Sequence, residues 1–376
     1  MAPLAPLQSG PTKPLTSVGH DAYYSLANDG SEAGSTPLTI DLRSDTVTKP
    51  TEAMRAVMAG ADVGDDVYRE DPTVNRLEEF AADLLGTESA IFCTSGTQSN
   101  LLALLGHCAR GDEFIVGQRA HSYKYEGGGA ASLGSVHPYP LEFEPDGTLD
   151  LDSVAAAVRP ENVHFPRTTL VCLENTQDGH VLPLDYLQAA RELTDDLDLR
   201  MHLDGARIFN AAVKLEVPVR DICRHFDSTA FCLSKGLGAP VGSLLCGGDD
   251  LIREARRWRK TLGGGMRQAG VIAAAGIYAL ENNVNRLEDD HENAAELARG
   301  LKDIDELDVE HADSQTNMVF VGLGDIDSGE LAEFLRDRGI LITRSDRIRL
   351  VTHLDISEGD IERVVAAFKA FASRQI

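Results

Sequence analysis

The chain has 376 residues, 43% hydrophobic and 25% charged, enough for one large and one small domain with a substantial core. Its 60 acidic residues against 35 basic ones leave a formal charge of −25, spread along the whole chain, which argues against nucleic acid or an anionic membrane as partner. No run approaches the roughly 18 apolar residues of a membrane span, and the start lacks a charged region followed by an apolar one, so a soluble, cytoplasmic protein is expected.

Residues 1–38 are rich in Pro, Ser and Gly without apolar period and read as a flexible tail, with a structured cap as the alternative. Asp71-Pro72 is a helix start with proline at N1, and the helix runs to Leu85. Short apolar segments then alternate with helical ones, at Ala90–Cys93, Phe114–Val116, Val136–Tyr139, Leu170–Leu173, Arg200–Leu203, Ser228–Leu233 and Gly242–Cys246. That alternation predicts an α/β fold, a mostly parallel sheet with helices on both faces. Near Asp249 the pattern changes to long helices, through Trp258 and then from Gln268 to Leu301. Asn317–Val321, Leu331–Arg338, Ile340–Thr343, Arg347–Val351 and a last helix from Glu358 follow. The expected division is 39–248 for an N-terminal segment plus large domain and 249–376 for a small C-terminal α+β domain.

Three segments carry chemistry. In Phe92-Cys-Thr-Ser95-Gly96-Thr97-Gln-Ser-Asn100 a strand runs into a helix, and such a turn offers free backbone N–H groups and a positive dipole end to a phosphate. A plainly capped helix has the same pattern. Arg200-Met-His-Leu-Asp204 reads as a strand ending in a carboxylate, where α/β sheets place ligands; a helix cap or an ion pair with Arg207 is the alternative. Lys235 lies in the apolar run Thr229-Ala-Phe-Cys-Leu-Ser-Lys235-Gly-Leu-Gly-Ala-Pro-Val241, and only 8 of the 35 basic residues are lysines. A lysine there can be held partly as the free amine that attacks a carbonyl, although alone it reads more readily as a side chain snorkelling into water. Together, an amine for an aldehyde, a phosphate cradle and a carboxylate for a ring nitrogen are what pyridoxal 5′-phosphate requires.

The chain also resembles the low-specificity L-threonine aldolases. The motifs are Asp41-Leu-Arg-Ser-Asp-Thr-Val-Thr-Lys-Pro50, Val63-Gly-Asp-Asp-Val-Tyr68, His164-Phe-Pro-Arg-Thr168, His202-Leu-Asp-Gly-Ala-Arg-Ile-Phe-Asn210, Leu233-Ser-Lys-Gly236, Leu262-Gly-Gly-Gly-Met-Arg-Gln268 and Ile348-Arg-Leu-Val-Thr-His353. The resemblance implies a fold-type-I pyridoxal-phosphate enzyme, built like aspartate aminotransferase. It would cleave threonine and allo-threonine, β-hydroxy amino acids, to glycine and acetaldehyde. Carried onto matching positions, it makes Lys235 the Schiff-base lysine, Asp204 the partner of the ring nitrogen, and Ser95, Gly96 and Thr97 the phosphate loop. His121 would stack on the ring and act as base, with His164 as second candidate. Ser44, Arg207 and Arg349 would bind the substrate carboxylate, and Arg267 would reach the phosphate of a neighbouring subunit. A homotetramer, and at least a homodimer, is implied. Two positions depart from the family pattern: Gln177 stands where histidine is expected, and Arg69 where glycine is.

The six cysteines show no CxxC pairing and read as reduced, buried thiols. The eleven histidines show no HxxxH or HxH spacing, so no metal is expected. Acid excess over the whole chain fits a protein made for high salt, from a halophilic source. Readings from other classes stay open: β-elimination or transamination on the same cofactor, or a non-catalytic scaffold.

Overall fold

The computed structural model describes residues 39–310 and 316–374. The tail expected over residues 1–38 lies outside them. Twelve strands occur among the described residues: β1 (Ile40–Asp41), β2 (Ser89–Cys93), β3 (Glu113–Gly117), β4 (His137–Leu141), β5 (Thr168–Glu174), β6 (Arg200–Asp204), β7 (Ser228–Cys232), β8 (Ser243–Gly247), β9 (Asp308–Glu310), β10 (Met318–Gly322), β11 (Ile340–Leu341) and β12 (Arg347–Val351). Seven of them form one sheet in the order β2-β8-β7-β6-β5-β3-β4, in which only β8 runs antiparallel to its neighbours. β3, β7 and β8 are buried at every residue, as strands covered on both faces must be. The open edge falls on β4, His137-Pro-Tyr-Pro-Leu141, whose two prolines cannot donate to another strand.

The first long helix forms as its sequence requires. The Asp71 carboxylate accepts from the amides of Thr73 and Val74, Pro72 occupies the first turn, and Gly86 ends the helix at φ +75°. Val74, Leu77, Ala81 and Leu85 recur at helical spacing and are buried in the main core. Asp71 does more than cap: it also accepts from Gly64 N (3.2 Å) and Gly270 N (2.8 Å), joining three distant segments.

A second core lies under two small sheets, β12-β10-β9 and the parallel pair β1-β11. Ile40 pairs with Ile340, and both Ile40 and Leu42 are buried in this second core. Residues 40–42 are therefore packed with the second core, not the main one. The chain also leaves the main core later than residue 248. Helix Asp249–Thr261 packs on helix Gly96–His107, and helix Gly270–Asn282 supplies Ala273, Ala275, Ile277 and Ala279 to the main core. The second core takes over at Ala294. A change from strands to helices in the sequence thus marked a change of element, not of the core that the elements cover. The helical stretch expected from Gln268 to Leu301 is two helices, Gly270–Asn282 and Leu287–Lys302, parted where the Asn283 side chain donates to Leu237 O (2.8 Å).

Candidate active site

The site lies where β5, β6 and the segment after β7 end, at the carboxyl edge of the large sheet. At one side, β2 turns into helix Gly96–His107. Ser95 is extended and its hydroxyl accepts from Gln98 N, while the Gly96 and Thr97 amides, in the first turn, have no partner among the described residues. Gly96 is required by space, since a Cβ there would stand 2.8 Å from Cys232 Sγ. The loop Gly263–Gly265 closes over this turn, and a Cβ on Gly264 would collide with the Gln98 side chain.

The next part is a cluster of buried carboxyl groups. Asp204, at the end of β6, is 2% exposed and accepts from Asn100 Nδ2 (2.7 Å) and Ala206 N (3.2 Å), both neutral donors. Asn100 Nδ2 also donates to Glu126 Oε1 (2.9 Å). His121, one loop beyond β3, bonds the same Glu126 oxygen through Nδ1 (2.8 Å), and its amide donates to Glu174 Oε2 (2.8 Å) at the end of β5. Burial and the neighbouring Asp204 charge push the Glu174 carboxyl up to about 8. Burial also raises Glu126, partly offset by its bond to His121. The ligating atoms of His121, Glu126 and Asp204 lie within 4.8 Å of one another, with the Asn100 amide donating to both carboxylates.

Opposite stand the cations. Lys235 is half-buried in the turn after β7, near enough to Asp45 and Glu174 for its charge to favour the ionised form of both. Arg207 holds Asp45 through two bonds, Nε to Oδ2 (2.8 Å) and Nη2 to Oδ1 (2.6 Å). Burial alone would raise the Asp45 carboxyl, but Arg207, Lys235 and Arg349 outweigh it and hold it well below the usual range. Arg349, on β12, has no carboxylate partner among the described residues, its nearest bond being a long one to Arg43 O. Ser44 precedes Asp45 and caps the short turn Asp45–Val47.

Not every expected residue arrives here. His164 is exposed in the turn before β5, at the opposite edge of the sheet, and β5 alone spans roughly 20 Å. Arg267 is half-exposed and bound to Asp65 (2.9 Å). Gln177 is buried, and its backbone pairs with His180. Arg69 sits at φ +60°, a left-handed position where glycine would be unstrained. Asp45, Asn100, Glu126 and Glu174 were not singled out by the sequence reading. Asp45 and Asn100 lie inside quoted motifs and Glu174 ends a predicted strand, yet nothing local marks such a group as packed against a charged or polar partner 26 to 162 positions away.

The residues fit pyridoxal phosphate. Two buried carboxyl groups, Asp204 and Glu126, meet beside half-buried Glu174 with no cation bonded to Asp204 among the described residues, unpaired amides wait at a helix N-terminus, and the Lys235 amine stands near Glu174. A protonated ring nitrogen would relieve the surplus charge that Glu174 registers.

This sheet, with a small domain over its carboxyl edge, is the fold type I architecture of pyridoxal-phosphate enzymes. Likeness to solved structures agrees: a Leishmania major threonine aldolase superposes with a TM-score of 0.75 at 22% identity over 89% of this chain and 99% of its own. A serine palmitoyltransferase from Sphingomonas wittichii gives 0.72 at 18% identity over 90% and 88%. The family model described as beta-eliminating lyase matches residues 41–323. The low specificity L-threonine aldolase of Escherichia coli (strain K12) is 54% identical over 89% of this chain and 100% of its own length. The probable low-specificity L-threonine aldolase 2 of Arabidopsis thaliana is 48% identical over 88% and 96%. The chain belongs to the low-specificity L-threonine aldolase family.

Proposed function

We propose that the protein cleaves L-threonine and L-allo-threonine to glycine and acetaldehyde by a retro-aldol reaction, using pyridoxal 5′-phosphate. The observation that carries this reading is the meeting of Lys235, Asp204 and the Ser95-Gly96-Thr97 turn at one sheet edge. When bound, the cofactor supplies an aldehyde and a ring that accepts the electron pair released at Cα. Lys235 is the amine for that aldehyde. Asp204, fixed by Asn100, keeps a proton on the ring nitrogen. Arg349 binds the substrate carboxylate, joined by Ser44 and by the edge of Arg207 that Asp45 leaves open. This clamp sets which bond at Cα stands across the ring. His121, whose Nδ1 is bonded to Glu126, has Nε2 left for the β-hydroxyl proton. His164 lies too far within one chain to share that role. Arg267 is the candidate to reach a neighbouring subunit's phosphate.

Exposed Tyr68 and Val63, in the same loop as Asp65, and Val271 support a self-associating chain, at least a homodimer and in our reading a homotetramer. Among the described residues no helix is long and apolar enough to cross a membrane. Six buried free cysteines favour a cytoplasmic setting, and the net charge of −25 favours work at high salt. Incubation with each threonine diastereomer tests the reaction: glycine with acetaldehyde is expected, whereas pyruvate from β-substituted substrates with no glycine would establish β-elimination instead.

A further inference from the structure

Behind Asp204 and Asn100 runs a line of neutral groups, His202, Ser228 and part-buried His107, that the reaction above does not use. Asn100 Oδ1 faces His202 Nε2 (3.2 Å), His202 Nδ1 faces Ser228 Oγ (2.8 Å), and Ser228 Oγ faces His107 Nε2 (2.7 Å). The direction of every bond follows from its two ends. Asn100 Nδ2 must be the nitrogen, because the other orientation would aim a carbonyl at the two carboxylates of Asp204 and Glu126. Oδ1 is then an acceptor, so His202 carries its hydrogen on Nε2. Burial holds His202 neutral, down to about 3, so its Nδ1 is a lone pair and Ser228 must donate to it. Ser228 in turn accepts from His107, which burial also holds neutral, down to about 4. All the donors point the same way, toward Asp204 and Glu126, and such a chain polarises itself cooperatively.

We propose that Asn100 is a positioning residue whose amide, oriented by the line His107, Ser228 and His202, holds Asp204 against the ring nitrogen and Glu126 against His121 at once. One side chain thereby supports both the electron-accepting side of the site and its base. The inference rests on the cofactor reading for what Asp204 holds, but the bond directions do not.

Nitrogen-15 spectra of the histidines in the unliganded protein test the directions. His202 and His107 are expected as neutral Nε2–H tautomers; His202 carrying its hydrogen on Nδ1, or charged at pH 7, overturns the proposal. The second measurement is pyridoxal phosphate affinity of Asn100→Ala and Asn100→Asp, with folding followed by circular dichroism. Loss of a hydrogen bond to a charged group predicts a weakening of roughly tenfold to a hundredfold for the alanine variant. A residue that only filled space would tolerate the isosteric aspartate best. The positioning role requires the reverse, because aspartate at neutral pH puts a third carboxylate against two others. Folded Asn100→Asp with wild-type affinity sinks the proposal. Ser228→Ala, remote from the cofactor, covers the case in which both Asn100 variants misfold: its His202 should keep the hydrogen on Nε2, where Asn100 Oδ1 still accepts it, while the Nδ1 resonance moves as it loses the Ser228 donor, and an unmoved Nδ1 resonance counts against the line. If the wild-type protein binds no pyridoxal phosphate, the functional reading fails while the tautomer result still stands.

Discussion

Arg207 and Asp45, 162 positions apart, close a two-bond ion pair at the junction of the two domains, with the carboxylate fully buried. Asn317, beside β10 of the small domain, adds a longer contact to the same carboxylate (3.4 Å). An arginine proposed as a substrate clamp is thus half committed to the protein itself, which leaves only its remaining edge for a substrate.

Asp45→Asn is expected to destabilise the protein by roughly 3–5 kcal/mol, because it leaves a buried guanidinium without its counter-charge. The folded-state pKa of Asp45 is lowered, so its contribution is complete above the unfolded value of about 3.9 and is lost as pH falls further. Acid denaturation curves check this: the wild type should lose stability relative to the variant only below that pH.

Arg349 is the proposed clamp residue with no carboxylate partner among the described residues. Replacing it by alanine should raise KM about tenfold to a hundredfold, the worth of a charged hydrogen bond, while thermal stability changes little. Steady-state kinetics beside a melting curve separates the two effects. An unchanged KM would place the carboxylate elsewhere.

Glu174 predicts the opposite pH behaviour to Asp45. Its folded value is raised to about 8 against about 4.3 unfolded, so the folded chain binds the extra proton and stability falls as pH rises between those values. In the unliganded protein, Glu174→Gln should flatten that decline. Denaturant midpoints at pH 5 and pH 9 measure it.

Lys235→Ala should retain the fold, since the side chain has no hydrogen bond of its own among the described residues, and lose turnover by at least about a hundredfold. Visible absorbance of the cofactor-loaded protein should change with it. Borohydride reduction followed by peptide mass mapping locates the pyridoxyl group on Lys235 in the wild type.

Dialysis from molar salt into dilute buffer is expected to reduce activity or assembly, because a net charge of −25 is then no longer screened within roughly 3 Å. Full activity and unchanged light scattering in dilute buffer remove the high-salt reading.

Arg347–Val351, the helix from Pro72 to Leu85 and the last helix from Glu358 stand as expected, because cap, period and terminator lie within one segment. His164 shows the limit of such reading. Its motif is plain, but its place at the far edge of the sheet depends on strand direction, which no local pattern records.

By itself the sequence determined most strands and helices and the mostly parallel sheet, and marked the lysine, the aspartate and the Ser95-Gly96-Thr97 turn as candidates, since each is written in neighbouring residues through alternation, capping or small side chains. The tertiary structure alone decided which core helices 249–261 and 270–282 cover, that Asp45 neutralises Arg207, and that Asn100 stands between two carboxylates. Those are pairings of groups from separate segments, and their energies arise only when folding removes the water between them.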